Sequence, residues 1–233
     1  MITTVRSPET LSVLASRAAA DLEGASAEEV LLWASGEFGA GLTVTASMQD
    51  TVLAHLAAKV RPGVDVLFLE TGYHFVETVG TAEAVEAVYD VRLRRLLPLL
   101  TVAEQDERYG PELFARNPDL CCALRKVAPL DAAMQEYEAW ATGLRRAESA
   151  SRADTPIVSF DAKRGRVKIA PLATWSDEDV DRYIIENNVL VNPLLSAEYP
   201  SIGCEPCTLR VAPGQDARAG RWAGLSKTEC GLH

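Results

Sequence analysis

Between residues 42 and 97, short apolar runs alternate with segments of helical periodicity, and this alternation leaves the chain few folds to choose from. The runs Leu42-Thr43-Val44-Thr45-Ala46 and Val64-Asp65-Val66-Leu67-Phe68-Leu69, with residues 91–97, are short, rich in β-branched residues and read as strands. Residues 49–59 and 76–89 lie between them and read as helices. Strand, helix, strand, helix, strand is the pattern of a parallel sheet covered on both faces. A fourth strand is expected at 138–142. Residues 157–160 and 166–169 read as a hairpin around Asp161-Ala162-Lys163-Arg164-Gly165. Helix starts are marked by Ser7-Pro8, by Ser26 with Glu29 and by Ser176 with Asp179. The residues around Cys121–Lys126 should form one further helix. The expected fold is therefore α/β: a single domain with a mostly parallel twisted sheet flanked by helices. Residues 1–203 form its body, and residues 204–233 a closing loop and mobile tail.

The 233 residues suffice for one such domain and a sizeable core. With 33 acidic against 23 basic side chains, the net charge of −10 argues against a nucleic-acid partner or an anionic membrane surface. The excess acid lies almost wholly in the first 119 residues, so cations for a small anion should come from the second half. No apolar run approaches the roughly 20 residues needed to cross a bilayer. No secretory signal opens the chain, and a reducing cytoplasm is the expected compartment.

Ligands of parallel sheets sit at the carboxyl ends of the strands. The first such end reads Ser47-Met48-Gln49-Asp50-Thr51, where Ser47 offers a hydroxyl and nearby amides to an anion. The second reads Glu70-Thr71-Gly72, where glycine lets backbone approach a ligand closely. Taken singly, each also fits an ordinary strand-to-helix turn. Gly36, Gly39 and Gly41 precede their strand, so they do not form a dinucleotide fingerprint. Arg145-Arg146 follow the fourth strand, and Arg218 and Arg221 precede the terminal segment.

The five cysteines carry the most chemistry. Cys121-Cys122 are adjacent, and Cys204-Glu205-Pro206-Cys207 follows 82 residues after Cys122. Adjacent cysteines rarely bridge each other, because the small ring strains the peptide. Two thiolates from one helical turn and two from a C-x-x-C loop complete a four-thiolate site. The compressed first pair favours an iron–sulfur cluster over zinc, which usually takes two spaced knuckles. Four unligated small hydrophobes are the plainer alternative. Cys230 belongs to neither pair. Near the chain end and close to Lys227, it suits a nucleophile that enters a site and leaves it.

Taken together, these stretches resemble the assimilatory adenylylsulfate (APS) reductases of the adenine nucleotide α-hydrolase superfamily, the actinobacterial type most closely. The resemblance runs through Cys121-Cys122-Ala123-Leu124-Arg125-Lys126, the 69–78 run, Thr142-Gly143-Leu144-Arg145-Arg146, Pro171-Leu172 with Trp175, and Gly203-Cys204-Glu205-Pro206-Cys207. It ends with Lys227-Thr228-Glu229-Cys230-Gly231-Leu232-His233 and covers nearly the whole chain in order.

The resemblance implies a 4Fe–4S cluster on Cys121, Cys122, Cys204 and Cys207, and Cys230 as catalytic nucleophile. It implies that Lys126, Arg218 and Arg221 contact the phosphosulfate of APS. Ser47, Glu70, Thr71, Gly72, Arg145 and Arg146 are further candidates for substrate contact. Thioredoxin or a similar dithiol is the implied reductant. The loop after Ser47 lacks the glycines that related pyrophosphatases use to cradle pyrophosphate. Glu70 stands where the family usually has Asp. A reductase acting on the 3′-phosphorylated nucleotide (PAPS), or on both, is the nearest alternative. A four-cysteine zinc module with nucleotide-binding or sulfur-transfer activity is the other.

Overall fold

The computed structural model describes residues 5–225, 227 and 229–232. The Ser7 hydroxyl accepts from the Thr10 amide, and Pro8 takes the first helical position of α1, Pro8–Asp21. Ser26 and Glu29 cap each other's backbone at the start of α2, Ala27–Phe38. The remaining helices are α3 (Val52–Val60), α4 (Val76–Val88), α5 (Val102–Tyr109), α6 (Leu113–Arg116), α7 (Pro118–Cys122), α8 (Ala128–Ala133) and α9 (Asp177–Asn187). The strands are β1 (Leu42–Thr45), β2 (Val64–Leu69), β3 (Val91–Leu96), β4 (Ala139–Ala141), β5 (Val158–Asp161) and β6 (Arg166–Ile169).

They form one six-stranded sheet in the order β3-β2-β1-β4-β6-β5, with β5 alone antiparallel to its neighbour. At the centre, Val44 pairs with Val66 on one side and Ala141 on the other. The chain winds outward from β1 through β2 to β3 and then returns to the opposite flank of β1 as β4. The connections leaving β1 and β4 therefore part from each other, and a crevice opens at their carboxyl ends.

Alternation along the strands feeds two cores. Val44, Val66, Phe68, Ala139, Ala141, Val167 and Ile169 pack with the buried faces of α1, α2 and α3. Leu67 and Trp140 point the other way, into a smaller cluster with Leu130, Met134 and Tyr137, against which Leu232 from the chain end is packed. Among the described residues no helix is long and apolar enough to cross a membrane.

Two local expectations need correction. The helix after β1 begins at Val52 rather than residue 49, because Gln49 and Asp50 are drawn into the late loops. Asp50 bridges Val191, the Gln49 carbonyl accepts from the Asn192 amide at 3.0 Å, and the Gln49 side-chain oxygen accepts from Ile202 at 2.8 Å. Met48, fully buried, consequently sits at φ 61°, a left-handed conformation uncommon for a side chain of its size. Secondly, the helix bearing the first cysteine pair is not continuous. It widens into a π-helical turn, Ala123–Val127, between α7 and α8, a feature often found at functional sites. The loop-rich segment from Asn192 onward is tied down by its own backbone. Leu209 donates to Gly220 at 2.8 Å, Trp222 to Cys207 at 3.0 Å and Val211 to Glu198 at 2.9 Å.

Candidate active site

The crevice at the carboxyl ends of β1 and β4 is a cavity of about 410 Å³, within the range usual for small-molecule sites. Ser47 lines it from the β1 end, Thr71 from the β2 end, Lys126 from the π turn and Arg145 from the loop after β4. Arg218, Arg221 and Cys230 complete it from the last sixteen residues of the chain. Segments far apart in sequence thus meet there because the sheet order reverses at this point.

Lys126 is the pivot. It is buried, lines the main cavity, and also lines a much smaller space enclosed with Cys121, Cys122, Cys204 and Cys207. Burial opposes its charge, but the nearby sulfurs of Cys204, Cys230 and Cys122 outweigh that and raise the ammonium pKa. Arg221 is half-buried, and desolvation pulls its pKa down. Its Nη1 donates to the Ser201 hydroxyl and the Ile202 carbonyl, both at 3.3 Å, while its buried Nε has no partner. A cation with an unspent N–H beside a cavity is built to receive an anion.

Arg221 reaches this position by lying against Gly203, whose absent side chain makes room. A Cβ there would stand 2.3 Å from Nη2 and 2.5 Å from Cζ of the guanidinium. Gly203→Ala should therefore displace Arg221 and weaken binding of a small anion in the cavity by about tenfold, with little change in overall fold content. Calorimetric titration of inorganic phosphate into both proteins checks this.

Cys121 and Cys122 at the end of α7 face Cys204 and Cys207 across the smaller space. Burial, then the other sulfurs, push the Cys121 thiol up to about 12 and Cys207 up to about 11. Four thiols gathered this closely oppose each other's ionisation unless positive charge is placed among them. Among the described residues, no three His, Cys, Asp or Glu side chains converge on a point able to hold one metal ion. Four sulfurs around one small space form a soft donor set of the kind that holds zinc or an iron–sulfur group. Thr71 ties this corner to the cavity, its Oγ1 lying 3.4 Å from Cys204 Sγ.

Three of the residues selected from sequence stand outside the cavity lining. Glu70 turns to its own loop, accepting from the Gly72 amide at 3.0 Å. Gly72, at φ 73°, makes space for Arg125 rather than for a ligand, since a Cβ would come within 3.0 Å of that guanidinium. Arg146 donates to the Thr155 carbonyl at 2.8 Å and pairs with Glu23 at 2.7 Å. Arg145 does face the cavity, held 2.8 Å from Asp177. Lys227 pairs with Asp119 at the start of α7. Thr228 and His233 of the terminal motif lie outside the described residues.

The cavity also contains residues that sequence reading passed over: Asp50, His74, Trp140, Glu148 and Arg152. Desolvation raises the Asp50 carboxyl above its usual range, and its Oδ1 accepts from the Val52 amide at 3.2 Å. His74 donates from Nε2 to the Leu69 carbonyl at 2.7 Å and stacks on Phe68. Burial holds its pKa down.

A family model for the phosphoadenosine phosphosulfate reductase domain matches residues 41–210. An adenosine 5′-phosphosulfate reductase of Streptomyces coelicolor is 61% identical over 98% of this chain and 97% of its own length. One from Mycolicibacterium smegmatis is 60% identical over 96% of this chain and 94% of its own. Among solved structures, the phosphoadenylyl-sulfate reductase of Candida auris in complex with phosphate superposes with a TM-score of 0.72 at 31% identity, covering 84% of this chain and 96% of that one.

Proposed function

The chain belongs to the phosphoadenosine phosphosulfate reductase domain family, and from that premise we propose that it reduces adenosine 5′-phosphosulfate (APS) to sulfite and AMP through a covalent adduct on Cys230. The observation that carries this reading is one juxtaposition. A half-buried thiol near the chain end shares a cavity with Lys126, Arg218 and Arg221, at the carboxyl ends of the parallel strands. The relatives from Streptomyces and Mycolicibacterium carry the same activity in their names.

APS joins AMP to sulfate through a mixed anhydride. The Cys230 thiolate attacks the sulfur, a sulfur–sulfur bond forms, and the bond to the phosphate oxygen breaks with its electron pair leaving on AMP. Thiolate, sulfonate and phosphate all carry negative charge, so the step needs fixed cations that cost no reorganisation. Lys126, Arg218 and Arg221 supply them. Ser47, Thr71 and Arg145 hold the rest of the nucleotide, with Asp50 and His74 beside them. A dithiol reductant of the thioredoxin kind then attacks Cys230, sulfite departs with the electron pair, and the second thiol of the reductant resolves the mixed disulfide. The two electrons come from that dithiol, and Cys230 returns as a thiol. Residues 204–233 serve throughout as the closing segment of the single domain.

Cys121, Cys122, Cys204 and Cys207 would hold a 4Fe–4S cluster, which when bound supplies the positive metal charge that four crowded thiolates require and joins α7 to the 204–207 loop. The scheme routes no electron through it. Five cysteines without a disulfide suit a reducing compartment such as the cytoplasm.

Mass spectrometry after incubation with APS, without reductant, tests the reading. A sulfite-sized adduct on the Cys230 peptide is expected, and none in Cys230→Ser. An adduct that persists in that variant would place the nucleophile elsewhere. With reduced thioredoxin, turnover of APS should exceed that of PAPS; the reverse would reassign the substrate. The protein should be brown, and a colourless preparation with stoichiometric zinc would overturn the cluster assignment.

A further inference from the structure

Cys230 sits on a segment that must be ordered before it can react, and ordering a chain end costs conformational entropy. We propose that Arg152 is a positioning residue which seats Cys230 by gripping the adjacent Glu229. The Arg152 Nε donates to Glu229 Oε1 at 3.0 Å and its Nη2 to Oε2 at 2.9 Å, so the guanidinium fork meets the carboxylate with both prongs. Its remaining Nη1 donates to Glu148, in the same loop after β4. The Arg152 side chain is 13% exposed and lines the cavity.

The grip has a counterpart on the other side of the thiol. Arg164, in the β5–β6 hairpin, donates from Nη1 to the carbonyl of Leu232 at 3.0 Å. Arg164 is itself fixed by Asp131 at 2.7 Å and Asp161 at 2.8 Å. One residue before Cys230 and two residues after it, the tail is thus held by guanidinium groups rooted in separate loops. A thiol carried between two such anchors keeps one position over the cavity, the condition under which proximity accelerates an attack.

Arg152 differs in this from the cations proposed to bind the substrate. Three of its five N–H donors are spent on Glu229 and Glu148, and the Nε/Nη2 edge of its fork is taken up by the tail. Glu229 also lies 3.3 Å from Arg218, so the carboxylate joins the positioning arginine to one that faces the substrate. Lysine would keep the charge of Arg152 but lose the planar fork.

The catalytic part of this proposal rests on Cys230 being the nucleophile; the docking part does not. Two readouts on the full-length protein separate them. In nucleotide-free enzyme, iodoacetamide should alkylate Cys230 about five- to tenfold faster in Glu229→Gln and Arg152→Gln than in the parent, with Arg152→Lys between, because loss of a partly buried charge pair frees the tail. In a single turnover with APS, the sulfite-sized adduct should form about tenfold more slowly in the same variants, while AMP affinity stays within about twofold. Glu229 is partly exposed, so Glu229→Gln threatens the fold least. An unchanged alkylation rate in Glu229→Gln would overturn the proposal. So would a loss of AMP affinity matching the loss of adduct rate in Arg152→Gln, since that marks a substrate contact. If the parent forms no adduct with APS, the nucleophile reading fails, and the alkylation rates still decide whether Arg152 docks the tail.

Discussion

Lys126→Met is expected to slow adduct formation on Cys230 by about a thousandfold, the loss typical when a fixed charge aimed at a developing anion is removed. Methionine preserves the length and apolar stem of the side chain, so packing between the two cavities should survive. What disappears is a buried cation whose pKa is raised by three different sulfurs, Cys204, Cys230 and Cys122. No water-filled surface replaces it, because the residue is buried, and a charge in such a place acts at low dielectric. Single-turnover quenching with APS measures the rate, and iron analysis of the same sample shows whether the thiol corner is intact. A rate within threefold of the parent, with iron retained, would remove Lys126 from the chemistry.

The second large effect is structural. Cys122→Ser should give a colourless protein without iron and a thermal midpoint lower by about 10 °C. A metal group held by the four thiols would cross-link α7 to the 204–207 loop. Closing a loop of that length is worth about 4 kcal/mol on chain-entropy grounds, and each kcal/mol moves the midpoint of a domain this size by about 2–4 °C. Calorimetry beside the visible spectrum tests it. Full iron content and an unshifted midpoint in Cys122→Ser would sink the assignment of that thiol.

Much of the architecture was legible because it depends on local pattern. The alternation between residues 42 and 97 specifies a parallel sheet whatever the tertiary detail, and the hairpin and the serine caps are signals that one stretch of chain contains. The candidate site was legible where residue type limits the chemistry, as with five cysteines that divide into four plus one. It was not legible where direction decides. Arg145, Arg146 and Arg152 are three arginines in eight residues, and nothing in their order says that Arg146 pairs with Glu23 while Arg152 turns inward to Glu229. Their directions are set by the short turns Arg146–Glu148 and Ala150–Arg152, too brief for any periodicity. Gln49 and Asp50 fit the helical pattern that follows them, and their late-loop partners, Val191 and Ile202, lie more than a hundred residues away. The π turn leaves no mark in the sequence pattern because it differs from an α-helix only in which carbonyl each amide selects.

Leu232 packs beside Leu130, Met134 and Trp140 in the smaller core, two residues beyond the thiol. The tail thus works as a cork, and heat resistance becomes a gauge of where Cys230 is. By linkage, any nucleotide that favours the seated tail must also raise the melting temperature, and release of the tail must lower it. A simple dye-based melt, run on the adduct and on the thiol form, would follow the catalytic cycle without a single turnover being counted.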